Sequence, residues 1–404
     1  MGQIQDGINS AAEVQKSSGH IFFSNALCEH SWVKCYLVGG AVRDLLLGRQ
    51  PKEWDYAFEG SAEDFIQANP GACKVGRSVS VVVLKGVEHM PFAPGALTED
   101  LRSRDLTINA LALDENGRLY AHPQALEDLC ARILRLAAPD ALERDPLRVF
   151  RIARFAAQFP DFSVHPATLA AMSEAAANKL LDALPAERVG RETRKALAAP
   201  LPSRFLLLLA RAECLHPWFA EWAGMDCIPA GPSQLRQGTV LNHTCQVMDA
   251  LAGDQLAVWM GLTHDLGKAS TPPEMLPHHD GHERRGKFMA RVLAVRLALP
   301  RRLQKAGELA AELHMLGGSY PQLRIGAKRD LLMRVHAAGL DLPFWKLVSA
   351  DAEQDRLADA LYDLEIVRHV RLPEKLRGRG EESGIRLRLL QCEALYASYQ
   401  KQSV

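Results

Sequence analysis

Strand-type text is confined to one stretch of this chain, and that confinement restricts its fold more than any other feature. From Lys34, short β-type runs appear at Cys35–Val38, Tyr56–Phe58, Ser80–Leu84 and Met90–Phe92. An apolar helical stretch, Val42–Leu47, lies between the first two and is stopped by Gly48. After about Arg135 the period becomes helical, at Pro166–Ala177, Ala186–Ala198, Arg204–Ala212 and again from Leu241 to Tyr399. Strands interleaved with helices, then helices alone, predict an α+β head followed by an all-helical remainder.

At 404 residues the chain exceeds one compact core. The polar, aperiodic residues 1–33 are expected to form a flexible leader, 34–137 the head, 138–238 a helical neck and body, and 239–404 a last helical domain with its tail. The Pro-, Gly- and Trp-containing text from Pro217 to Gly238 reads as a connector. Formal net charge is zero, so any RNA surface must be a local patch. The eight cysteines include no CxxC pair, which argues against a zinc ribbon or a disulfide framework and fits reduced thiols. The longest apolar run, near Phe205–Ala210, is far short of a membrane span, and the first residues lack a signal-peptide pattern. A cytoplasmic protein without a membrane partner is expected; the sequence leaves its oligomeric state open.

The first of two chemical constellations begins in the head. In YLVGGAVRDLLLGRQPKEWDYAFEGS, Gly39 and Gly40 follow a strand and lead into a helix, so backbone N–H groups can approach a triphosphate. Arg43 and Asp44 follow on the first helical turn. Glu53 and Asp55 flank Trp54 at the start of the next strand. Positions i and i+2 of a strand share a face, so both carboxylates are predicted to converge and hold Mg²⁺ against triphosphate oxygens. Further on, Asp145 is placed to cap a helix and Pro146 to open it, in PLRVFRIARFAAQF. Asp145 and Arg148 then share a face. A carboxylate there can accept from the exocyclic amino group of C or A while a guanidinium donates to a ring acceptor. Arg151 and Arg154 extend the basic face.

These strings resemble class II tRNA nucleotidyltransferases and bacterial poly(A) polymerases, whose head opens with GGxVRD followed by DxD. RSRDLTINALAL (Arg102–Leu113) is similar to the family's RRDxTINAxA, and RDPLRVFRIARFAAQF to its EDPLRxxRxARFAA. The resemblance implies a polymerase-β-like head, with Glu53 and Asp55 as catalytic metal carboxylates. It implies that Gly39, Gly40, Arg43, Arg104, Asp105, Asp145, Arg148 and Arg151 bind nucleotide, Asp145 and Arg148 selecting CTP and then ATP. Four departures stand out: Glu53 replaces the first metal Asp, Ser103 the first Arg of RRD, Arg144 the Glu of EDxxR, and the segment 87–100 is short.

The second constellation is His243 followed by WMGLTHDLGKASTPPEMLPHHDGH. An adjacent His264-Asp265 pair in apolar text is costly to bury unless it binds metal or a partner. With His243 upstream and Asp351 downstream, it offers mixed imidazole and carboxylate ligands for a divalent transition metal. His278, His279 and His282 can complete a second metal position or bind substrate phosphate. The string is similar to the HD phosphohydrolase domain at the C-terminus of some CCA-adding enzymes, which implies hydrolysis of 2′,3′-cyclic and 2′- or 3′-phosphates through His264 and Asp265. Nickel, manganese and magnesium all remain open for that site.

The resemblance spans Tyr36 to Asp351 and implies addition of C, C and A to tRNA from CTP and ATP with Mg²⁺, beside an HD phosphohydrolase. The four departures support an alternative, an RNA-end phosphohydrolase with a degenerate head.

Overall fold

The computed structural model describes residues 33–75, 81–232 and 238–402. Of the predicted features, the leader apart from Val33, Ser80 of the third strand and 233–237 of the connector lie outside them.

The chain opens with β1 (Cys35–Val38), α1 (Gly40–Leu46), β2 (Asp55–Glu59), α2 (Ala62–Ala68), β3 (Cys73–Val75), β4 (Val81–Leu84) and β5 (Val87–Phe92). It continues with α3 (Leu97–Ser103), β6 (Leu111–Leu113), β7 (Leu119–Ala121), α4 (Ala125–Ala131) and β8 (Ile133–Leu134). Seven strands form one sheet in the order β3-β4-β5-β2-β1-β6-β7. All pairs are antiparallel except β2 with β5, where Tyr56 stands opposite His89. Both faces of the central strands are covered, which is why β1 reads as an apolar run rather than an alternation. Tyr36, Val38, Ala57 and Ala112 pack with Leu97 and Leu101 of α3 on one side, and Phe58 and Val82 with Phe65 of α2 on the other. The strands β3, β6 and β7 were not expected from the sequence; each is three residues long, too short for an alternation to register.

The first compact unit is completed by α5 (Ala141–Arg144), α6 (Arg148–Gln158), β9 (Ser163–Val164) and α7 (Pro166–Ala177), and it ends at Leu181. One predicted boundary is corrected here. The helix begins at Arg148, not at Pro146, and Asp145 Oδ1 accepts from the Leu147 N–H at 3.3 Å. The carboxylate caps the turn before the helix, because Pro146 and Leu147 enter α6 through i→i+3 bonds rather than as its first regular turn.

The second unit, from Asp182, contains helices and no strand among the described residues. They are α8 (Ala186–Leu197), α9 (Ser203–Arg211), α10 (Val240–Ala250), α11 (Gln255–Thr263), α12 (His282–Arg296) and α13 (Arg301–Gly318), then α14 (Ile325–Ala337), α15 (Asp341–Ala352), α16 (Leu357–His369) and α17 (Glu381–Gln402). Helix α11 is buried all round from Ala257 to Thr263, as expected of a central helix. The predicted connector is core rather than linker where described. Trp218, Phe219, Trp222 and Met225 are buried, and Arg296 pairs with Glu221 at 2.6 Å. The division into compact units falls between 181 and 182, so α5–α7 cluster with the sheet and α8 and α9 with α10–α17. No described helix is long and apolar enough to cross a membrane.

Candidate active site and metal centre

In the first unit the glycine turn is built around two guanidiniums. Gly39 has φ +70°, and its N–H donates to Leu111 O at 2.9 Å. A Cβ on Gly39 would lie 3.0 Å from Arg104 Nη1, and one on Gly40 3.3 Å from Arg43 Nη2. Glycine is required at position 39 by its backbone as well as by its neighbour. Arg43 is buried. It donates to Asp44 Oδ1 at 2.9 and 2.7 Å and to Asn109 Oδ1 at 2.5 Å, and lies over the ring of Phe159, the residue after α6. Its burial lowers the guanidinium pKa from the ordinary arginine value, an effect opposed by Asp44. Arg104 is held by Asp100 Oδ2 at 3.2 and 2.9 Å.

Asp105 lies at the centre of this network. Its Oδ2 accepts from Arg151 Nε and Nη2 at 2.8 and 2.6 Å, and its Oδ1 from Leu106 N at 2.8 Å and Asn109 Nδ2 at 2.9 Å. Burial alone would raise this carboxyl, yet Arg151 and the hydrogen bonds hold it well below the usual carboxylate range. Arg148 donates to the main-chain oxygens of Ser103 (2.5 Å) and Ala141 (3.2 Å), and burial lowers its pKa despite Asp105 and Asp145 nearby.

The two head carboxylates are placed differently from each other. Asp55 is the first residue of β2, while Glu53 is exposed in the bend before it. The strand-face argument for their convergence is therefore corrected: β2 starts too late to include Glu53. Both remain hard oxygen donors of the kind Mg²⁺ takes together with substrate phosphates.

In the second unit one aspartate joins two groups of donors. Asp265 Oδ2 lies 3.3 Å from His264 Nε2 and 3.8 Å from His243 Nε2, while Asp351 Oδ1 lies 3.0 Å from His243 Nε2 and 3.6 Å from His264 Nε2. Asp265 Oδ1 lies 3.5 Å from His282 Nε2 and 3.4 Å from His314 Nε2, which are themselves 3.3 Å apart. Ligand bonds of about 2.0–2.2 Å around a divalent ion put neighbouring donors about 3.0–3.6 Å apart, so both groups fit a metal. The tautomers fit as well. Nδ1 of His264, His282 and His314 faces the carbonyl of Gly261 (2.7 Å), His279 (2.8 Å) and Ala310 (3.0 Å) respectively. An imidazole that donates Nδ1–H to its carbonyl presents Nε2 inward as the nitrogen available to a ligand ion.

The sequence builds this convergence locally. Gly267, inside HDLGK, packs backbone to backbone against α12: a Cβ there would lie 2.0 Å from His282 O. That close approach brings His282 to Asp265. Lys268 is buried and donates to Asp265 Oδ2 and to Ala230 O, both at 2.7 Å. Burial would raise the Asp265 carboxyl, but His264 and Lys268 hold it well below the usual range. Burial would lower His314, but the hydrogen bond and charge of Asp265, with Asp351, raise it.

Residues 35–86 match the family model described as "Poly A polymerase head domain", and 161–225 match "Probable RNA and SrmB- binding site of polymerase A". The "Multifunctional CCA protein" of Stenotrophomonas maltophilia (strain K279a) is 37% identical over 332 residues, covering 76% of this chain and 81% of the relative. The chain belongs to the multifunctional CCA protein family. Two solved structures share the fold: one described as "The complex structure of CCA-adding enzyme with CTP" (TM-score 0.63, 17% identity, 97% of this chain and 94% of that one), the other as "Thermotoga maritima CCA-adding enzyme complexed with tRNA_CCA" (TM-score 0.60, 19% identity, 91% and 92%).

In this CCA family member the structure gathers Gly39, Gly40, Arg43, Arg104, Asp105 and Arg151 around one turn, with Arg148 beside them. It brings His243, His264, Asp265 and Asp351 together, and of the three histidines read as candidates for a second position it brings His282 to Asp265. His279 is turned away, bonded to Thr271 Oγ1 at 2.9 Å and Pro229 O at 2.8 Å, and His278 is exposed. Three participants went unassigned in the sequence: Asn109, Lys268 and His314. His314 stands in AAELHMLGG, apolar helical text where the argument applied to His264-Asp265, that a buried imidazole needs a partner, works equally well.

Proposed function

We propose that this protein adds C, C and A stepwise to the 3′ end of tRNA, using CTP and ATP with Mg²⁺, and that its histidine–aspartate centre is an HD-type phosphohydrolase. The domains are read as 34–137 for the nucleotidyltransferase head, 138–238 for the RNA-binding neck and body, and 239–404 for the HD domain and tail. One observation carries the first part: residues from all three head motifs, Arg43, Asp105 and Arg151, join in one hydrogen-bonded network beside the Gly39–Gly40 turn. The family's name and the CTP- and tRNA-bound neighbours support the same reading.

In the transfer step the tRNA 3′-oxygen forms a bond to the nucleotide α-phosphorus, the α–β phosphoanhydride bond breaks, pyrophosphate leaves and the hydroxyl proton passes to solvent. Arg43 and Arg104, beside the Gly39–Gly40 turn, would offset triphosphate charge, and Asp105 would orient Arg151. Asp145 and Arg148 would read the base, Arg148 exchanging its main-chain acceptors for a ring acceptor. Mg²⁺ held by Glu53 and Asp55 would supply charge neutralisation on the phosphates.

In the second unit His243, His264, Asp265 and Asp351 would hold one divalent ion, and Asp265, His282 and His314 a second. Bound there, such ions supply Lewis-acid polarisation of a phosphoryl oxygen and a more acidic water. The chain's own part is to fix the imidazole tautomers through three carbonyls and to keep Lys268 beside the shared carboxylate. The exposed Glu53, off its strand, favours the second reading, an RNA-end or 2′,3′-cyclic phosphate phosphohydrolase with a weakly active head.

The test is incorporation of labelled CTP and ATP into tRNA transcripts ending before CCA, before the final A, or complete, with Asp55→Ala as control. Ordered addition that stops at CCA and is lost in the variant is expected. A folded, tRNA-binding protein that incorporates nothing, yet hydrolyses a 2′,3′-cyclic nucleotide in an Asp265-dependent way, would establish the second reading instead.

A further inference from the structure

We infer that Asn109 is the positioning residue that fixes Arg151 relative to the glycine turn, through the opposite polarity of its two amide atoms. The inference rests on the nucleotidyl-transfer reading of the head. Asn109 is 5% exposed and closes the 3₁₀ turn Thr107–Asn109. Its Oδ1 accepts from Arg43 Nη1 and its Nδ2 donates to Asp105 Oδ1. Asp105 passes the constraint to Arg151 through its other oxygen. One line of contacts therefore runs Asp44–Arg43–Asn109–Asp105–Arg151, from α1 to α6, and the amide is its only neutral member.

The polarity matters because the neighbours have opposite charge. Arg43 requires an acceptor and Asp105 a donor, and a primary amide offers one of each on separate atoms. With the Nδ2 donor removed, Asp105 Oδ1 keeps only the Leu106 N–H. The carboxylate and its bidentate guanidinium can then swing together. A misplacement of about 1 Å in a positioning group costs on the order of 100-fold in rate.

Asn109→Asp tests this with almost no change of shape. It keeps an oxygen for Arg43 but sets a second carboxyl oxygen against Asp105 Oδ1. A proton shared by the two carboxyls restores the hydrogen bond at low pH. Once the proton is lost with rising pH, the oxygens repel and Arg151 loses its setting. The charged groups that bear on the position are Arg43 and Asp44 on α1, Arg104 and Asp105 before and within the turn region, and Arg148, Arg151 and Arg154 on α6.

The experiment measures CTP and ATP incorporation by the full chain at about pH 5.5 to 9. Wild type, Asn109→Ala and Asn109→Asp are compared at each pH, with melting curves alongside. Asn109→Ala is expected to lose about 100-fold in kcat/KM relative to wild type at every pH. Asn109→Asp should come within about fivefold of wild type at the lowest pH and fall toward the alanine variant as pH rises, mostly through nucleotide KM. The inference is overturned if both variants match wild type throughout. It is equally overturned if Asn109→Asp shows one constant deficit tracking a lowered melting temperature, which is the mark of a purely structural role. Wild-type protein that incorporates neither nucleotide would overturn the head reading and this inference with it, an outcome distinct from a wild type that works beside unaffected variants.

Discussion

At the candidate metal centre paired donor atoms already stand 3.0–3.8 Å apart, whereas at the glycine turn the guanidiniums are engaged with the chain's own carboxylates and carbonyls. The difference follows from the groups used. Imidazoles tolerate close approach once each Nδ1–H is satisfied by a carbonyl, and Lys268 balances the buried Asp265. Two carboxylates repel, so Glu53 and Asp55 gain from convergence only when substrate brings phosphate and cation together. On the proposed reading, one site is preassembled by the fold and the other is completed by what it binds.

Asp265→Ala is the severest way to break this comparison. Both donor groups lose their shared member, so hydrolysis of a 2′,3′-cyclic nucleotide should drop on the order of 10³-fold while CTP incorporation is unchanged. Loss of both activities together would show that the two units are not chemically separate. Next in size is Asp105→Asn. Incorporation should fall about 100-fold, because Arg151 loses a bidentate partner, and stability by about 1–3 kcal/mol in a denaturant titration.

Acid denaturation sharpens the same point. The folded-state pKa of Asp105 is depressed, so below an unfolded value of about 4 the unfolded chain binds more protons there. Its stabilisation is present above that pH and lost as pH falls further toward the folded value. Asp105→Asn should accordingly flatten the acid limb of the melting temperature against pH, and an unchanged limb would contradict the assignment. The smallest effect belongs to the histidine contrast: His282→Ala should reduce metal uptake, whereas His278→Ala, exposed and outside both donor groups, should leave uptake and hydrolysis within twofold of wild type.

What the sequence revealed and what it hid follow from range. The helices at Pro166–Ala177 and Ala186–Leu197 were legible because their period repeats over three turns. Strands such as Leu111–Leu113, three residues and buried on both faces, carry no alternation to read. His264 and Asp265 stood out as a candidate metal pair because they are neighbours in the chain. His314 entered the same centre from a helix fifty positions on, where only burial marks it. In the head, the motifs named the charged groups but not their pairing: that Asp105 holds Arg151, or that Asn109 stands between Arg43 and Asp105, depends on how α1 and α6 pack around the turn.

The most direct test of this contrast between a preassembled and a substrate-completed site is Mn²⁺ binding measured by equilibrium dialysis, with and without CTP, for wild type and Asp265→Ala. Without CTP, wild type should bind Mn²⁺ tightly and Asp265→Ala should not; with CTP, the variant should gain nucleotide-dependent Mn²⁺. Equal tight binding by both proteins in the absence of CTP would contradict the account.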